Sequence, residues 1–113
     1  MDEVEISVSW RAAIFSAEGA PPVYGHLRKI GKGKAEVKAD CNLRPGQKCG
    51  LAVRLPKSNA AEITQYVEGQ GVVEASVLSS SQFHIMLRSL EIKGDGKALL
   101  SEYIRKHKEV WKR

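Results

Sequence analysis

Polar and apolar positions alternate in short stretches along most of the chain. Val4, Ile6, Val8 and Trp10 fall on one side of an extended segment and Glu5, Ser7 and Ser9 on the other, the two-residue period of a half-buried strand. A loop containing Gly19, Pro21 and Pro22 follows. Val23 to Ile30 resumes the extended pattern and runs into Gly31-Lys32-Gly33-Lys34, whose glycines predict a tight turn. Beyond it Ala35, Val37 and Ala39 alternate with Lys34, Glu36 and Lys38, which completes a hairpin. After the loop Asn42-Leu43-Arg44-Pro45-Gly46, the segment Lys48 to Leu55 sets Leu51, Val53 and Leu55 on one face before Pro56 ends it. Glu62 to Leu78 reads as one long or interrupted strand bent at Gly69 and Gly71. Ser79-Ser80-Ser81 then turns the chain into Phe83, Ile85 and Leu87.

The period changes near the end. Leu99, Leu100, Tyr103, Ile104, His107, Val110 and Trp111 recur at three- and four-residue steps, the stripe of an amphipathic helix. Asp95 suits its N-cap, and Arg105, Lys106, Lys108, Lys112 and Arg113 complement the dipole at its C-terminal turns. Five to seven closely spaced strands with no helix between them predict an antiparallel barrel or sandwich rather than a parallel α/β sheet. Closing such a sheet also removes its exposed edges. The chain is therefore predicted to be mainly β and a single domain over 1–113, with a barrel over about 4–91 and a C-terminal helix over about 95–112.

Composition adds limits. A chain of 113 residues, 42% hydrophobic and 27% charged, suffices for one packed core and excludes wholesale disorder. No apolar run approaches the roughly 18 residues that cross a bilayer, and Met1-Asp2-Glu3 is the opposite of a signal peptide's basic start, so a cytoplasmic protein without membrane insertion is expected. Cys41 and Cys49 lack paired C-x-x-C spacing and read as small semi-buried side chains. The net charge of +5 favours an anionic partner without choosing its class.

Catalytic chemistry is not visible. His26, His84 and His107 have no ligand spacing, the acids are scattered, and no G-x-S-x-G, Walker A or G-x-G-x-x-G occurs; Gly31-x-Gly33 leads into a strand where the last motif needs a helix. The expectation is a non-enzyme with no catalytic residue, no metal site and no cofactor. What stands out is His26-Leu27-Arg28-Lys29-Ile30-Gly31-Lys32-Gly33-Lys34, with four Lys/Arg, no acid and two glycines at a strand end. Such a turn can offer backbone N–H groups and ammonium ions to a phosphate or carboxylate.

The order of these elements resembles the PilZ domain family. The likeness runs from Tyr24 to about Tyr103, through Gly25 to Val37, then Leu43-Arg44-Pro45-Gly46-Gln47, then Leu51-Ala52-Val53-Arg54-Leu55-Pro56, a bent strand pair and a closing helix. It implies a six-stranded antiparallel barrel with a C-terminal helix, and a module that binds cyclic di-GMP and signals to a protein partner. The ligand motifs depart from the family. In its D-x-S-x-x-G turn the Asp falls on Lys29, the Ser on Gly31 and the final Gly on Lys34, with only the neighbouring Gly33 kept; of its R-x-x-x-R arm, Arg11 stands alone. Each lost hydrogen bond to a charged group is worth about 1.5–3 kcal/mol, and micromolar binding amounts to only about 8 kcal/mol in all.

The first reading is thus a regulatory adaptor in cyclic di-GMP, type IV pilus or motility signalling. It would dock a protein partner through Arg28, Lys29, Lys32, Lys34 and the basic side of the helix with Arg105 and Lys108, and would not grip cyclic di-GMP tightly. The second is a cyclic di-GMP receptor using substituted contacts from Arg11, Arg28, Lys29, Gly31, Lys32, Gly33 and Lys34. A basic barrel for single-stranded nucleic acid ranks third, because aromatics are only 6% and Trp10, Phe15, Phe83, Tyr103 and Trp111 read as core or helix-packing residues. Homo-oligomerisation is left open, with an exposed stripe of Tyr103, Ile104 and Trp111 as one surface for it.

Overall fold

The computed structural model describes residues 5–16, 20–31, 33–55, 65–94 and 96–102. Six antiparallel strands, β1 (Glu5–Phe15), β2 (Val23–Gly31), β3 (Lys34–Ala39), β4 (Lys48–Arg54), β5 (Tyr66–Ser79) and β6 (Gln82–Ile92), close into a barrel in the order β1-β2-β3-β6-β5-β4. Residues 96–102 form a helix, α1. The predicted fold class is the observed one. Asp95 and residues 103–113, with Tyr103, Ile104, Arg105, His107, Lys108 and Trp111, lie outside the described residues, as do residues 56–64.

Alternation explains why these segments close. Ala12 and Ile14, Leu27 and Ile30, Ala35 and Val37, Leu51 and Val53, Val67 and Val73, and Ile85 and Leu87 all point inward and are buried. Leu43, Leu55 and Leu100 come from the connections and α1 to complete the same core. Gly96 starts α1 close to the barrel, where a Cβ would lie 3.2 Å from Ile92 Cγ2 and 3.3 Å from Val67 Cγ1.

Two segments differ from the sequence pattern. The first strand runs on past Trp10 to Phe15, paired with β2 as far as Ile14, and over Ala12 to Phe15 it also pairs with β4 on its other side; a bulge lies between Ser7 and Trp10. Ala12 and Ile14 continue the inward parity of Trp10 and are buried, and Phe15 faces outward at 46% exposure, where a core position was expected. The long strand before the serine turn begins at Tyr66, later than Glu62, and is the uninterrupted form of the two expected, with a register shift against β6 between Gln70 and Val72, across Gly71.

The β5–β6 hairpin closes through Ser80 and Ser81 at φ 52° and 73°, a two-residue loop of the primed type that matches strand twist. Serine has a Cβ penalty there that glycine lacks and asparagine tolerates better. Replacing the pair with Asn-Gly (Ser80→Asn with Ser81→Gly) is expected to stabilise the domain by about 1 kcal/mol. Chemical denaturation would read it as a raised midpoint at unchanged slope.

Candidate functional site

The basic residues singled out in the sequence sit on the outside of β1, β2 and β3. In β2 the inward parity holds through Leu27 and resumes at Ile30, so one extra residue is accommodated between them. That bulge is why Arg28 and Lys29, adjacent in the chain, are both exposed on the outer surface. Opposite them β1 has its own bulge, so Lys29 pairs with Ser7 while Trp10 pairs with Leu27. Arg11 faces His26 directly across the β1–β2 ladder, and His26 faces Lys38 on β3. Neighbouring strands lie about 4.8 Å apart, so these side chains form one cross-strand row.

The turn is tight, as predicted. Gly31 pairs with Lys34, and Gly33 has φ 73°, a left-handed geometry that suits glycine. The Gly33 carbonyl accepts a 3.0 Å hydrogen bond from Leu90 N–H of β6. On the β6 side the chain also bulges, with exposed Ser89 at φ 53°. Lys32 lies outside the described residues. The structure thus brings Arg11, Arg28, Lys29, Gly31, Gly33 and Lys34 together on one side of the barrel.

Three further residues join this face: His26, which opens the basic stretch noted in the sequence, and Lys38 and Arg54, which lie outside it. Lys38 follows from β3 alternation, whereas His26 joins through the β1–β2 register. Arg54 joins only through barrel closure: one step beyond the paired Ala12 and Val53 places it beside Arg11. Nothing local in the sequence announces a pairing of segments about forty residues apart. On β2 and β3 one carboxylate interrupts the cations, Glu36, whose Oε2 lies 3.4 Å from His84 Nδ1 in a part-exposed pair. Glu68, Glu74 and Glu91 are on β5 and β6 instead, so the barrel's charge is polarised across its width.

An open groove of about 580 Å³ lies across β6 from the turn, lined by Phe15, Lys48, Gly50, Gln70, Ser89 and Glu91 among others. Phe15, Gly50, Gln70 and Glu91 are successive cross-strand neighbours, and the missing side chain at Gly50 makes the notch beside the Phe15 ring. The loop before β4 is fastened at this end, where Gln47 Nε2 donates to the Ser16 carbonyl at 3.2 Å. Cys49 is buried and Cys41 half-buried. Burial holds the Cys49 thiol above its ordinary pKa, so it stays protonated and unreactive. No cluster of three or more metal-ligating side chains occurs among the described residues. None of their helices is long and apolar enough to cross a membrane.

Fold and site together define a small closed antiparallel barrel with a terminal helix and a cationic outer face. No family model and no curated protein matches the chain. Among solved structures, the Bacillus subtilis inhibitor of motility MotI/DgrA has this fold, with a TM-score of 0.77 and 23% sequence identity over 100% of this chain. The chain spans 53% of that protein's length.

Proposed function

We propose that the chain is a non-catalytic regulatory adaptor of the PilZ type that acts in motility signalling by docking an acidic surface of a protein partner. The observation that carries this reading is the gathering of Arg11, Arg28, Lys29, Lys34 and Lys38 on one outer face by two facing bulges and the barrel's register. The fold shared with an inhibitor of motility supports the pathway, and the PilZ-like order of elements supports the class. Long-range attraction to such a face speeds encounter, while the bulge fixes where the guanidinium of Arg28 is presented.

Two measurements test it. Calorimetric titration with cyclic di-GMP is expected to show no binding tighter than micromolar, because Lys29, Gly31 and Lys34 replace the family's gripping residues; submicromolar binding would reject the adaptor. Induced expression is expected to alter swimming, and Arg28→Glu with Lys29→Glu is expected to abolish the effect while leaving the fold intact. An undiminished effect would remove the basic face from the mechanism.

One observation favours a second reading, that of a cyclic di-GMP receptor with substituted contacts. Arg11 and Arg28 lie on adjacent strands of the same face, where two guanidinium groups could reach one dinucleotide. Under this reading Arg28→Ala with Lys29→Ala eliminates a measurable affinity.

A further inference from the structure

Among the described residues, the β4–β5 ladder does not run the whole length of β5. The β4 ladder covers β5 only from Tyr66 to Val72, after which Gly46 N–H donates to the Val73 carbonyl and Val73 N–H donates to the Gln47 carbonyl. Beyond Val73, β5 continues to Ser79 with β6 as its one strand neighbour among the described residues. Because Ser79 and Gln82 close a two-residue hairpin, the backbone groups of Ser79, Val77 and Ala75 face β6. Those of Ser76 and Leu78 therefore face the open side.

The side chains on this edge are unusual for an exposed strand. Val77 is 51% and Leu78 62% exposed, and no charged residue occurs from Ala75 through Phe83. Lysines, prolines or inward charges are the ordinary means of blunting such an edge, and none is present there.

We propose that this segment is a self-association edge, at which two copies of the chain pair their β5 strands antiparallel about a two-fold axis through Val77. The spacing carries the commitment to a second copy. Two edge-facing residues separated by one are self-complementary under that axis: Ser76 meets Leu78 of the second copy, Leu78 meets Ser76, and both are hydrogen-bonded pairs. All the outward N–H and C=O groups of these two residues are then satisfied. Val77 meets its own counterpart at a non-hydrogen-bonded position, where side chains approach most closely. A neutral segment meeting itself brings no like charges together. His84 sits one strand back in each copy, so the two imidazoles are about 14 Å apart, beyond the Debye length of about 8 Å at physiological salt.

The edge is short, so the dimer is weak and concentration-dependent. With +5 on each copy, its association strengthens as salt screens their repulsion. Sedimentation of the whole chain from micromolar to millimolar concentration is the test. It is expected to show a reversible dimer that Val77→Lys and Leu78→Pro each weaken by about tenfold or more. Both substitutions sit on exposed positions, and the Leu78 N–H that proline removes points away from β6, so the folded barrel seen by circular dichroism is retained. In a Cys41→Ser background, Val77→Cys is expected to give a covalent dimer on oxidation with copper phenanthroline, because that pair falls within disulfide reach. A chain that stays monomeric throughout, as when a strand of a different protein is the occupant, would overturn the proposal; so would a dimer in which Val77→Cys fails to cross-link.

Discussion

Gly25→Ala should destabilise the protein by about 3 kcal/mol or more. Gly25 lies between Ala12 of β1 and Ala39 of β3, in an inward-facing row of small residues. A Cβ there would run into the Lys38 carbonyl oxygen and stand 3.0 Å from the Ala39 Cβ. The obstacle is backbone at the last pair of the β2–β3 ladder, so no rotamer change relieves it, and the two strands must separate at that end. Overpacking costs about 1–3 kcal/mol where side chains can adjust and more where they cannot. Domain stability is only about 5–15 kcal/mol in total. Denaturant unfolding of Gly25→Ala should show a loss of about 3 kcal/mol or more; a loss below about 1 kcal/mol would mean that the strands approach less closely than this.

Leu27→Ala is the second large effect, and it connects the core to the basic face. Leu27 is fully buried and immediately precedes the bulge that exposes Arg28 and Lys29. Truncation removes apolar surface and leaves a cavity walled by strands that cannot all collapse inward, which costs about 3–4 kcal/mol. Arg28→Ala, one residue later on the exposed side, should change stability by no more than about 0.5 kcal/mol. Comparing the two by thermal unfolding separates scaffold from interface. If Leu27→Ala were as mild as Arg28→Ala, the inward parity of β2 would be refuted.

Much of the architecture was legible because alternation is a local property. β2, β3, β4 and the serine turn all follow from residues within one segment, and the tight turn follows from Gly31 and Gly33. The far half of β1 carries the same alternation through Ala12 and Ile14, and what stayed hidden was its second partner, because the pairing with β4 is set by barrel closure. Phe15 was read as a core aromatic from its residue type, yet it shares the outward parity of Arg11 and lies opposite Gly50 of β4. The basic turn was visible as composition. Its continuation to Arg54 needed the β1–β4 register, and the notch at Gly50 needed the barrel to close.

The hydrogen bond from Leu90 N–H to the Gly33 carbonyl has a consequence for recognition. It latches the tip of the β2–β3 hairpin to a strand far away in sequence, and the latch forms whenever the barrel forms. On the docking reading proposed above, a partner arriving at Lys34 would meet a hairpin tip already held in shape by folding, with little entropy left to lose on contact.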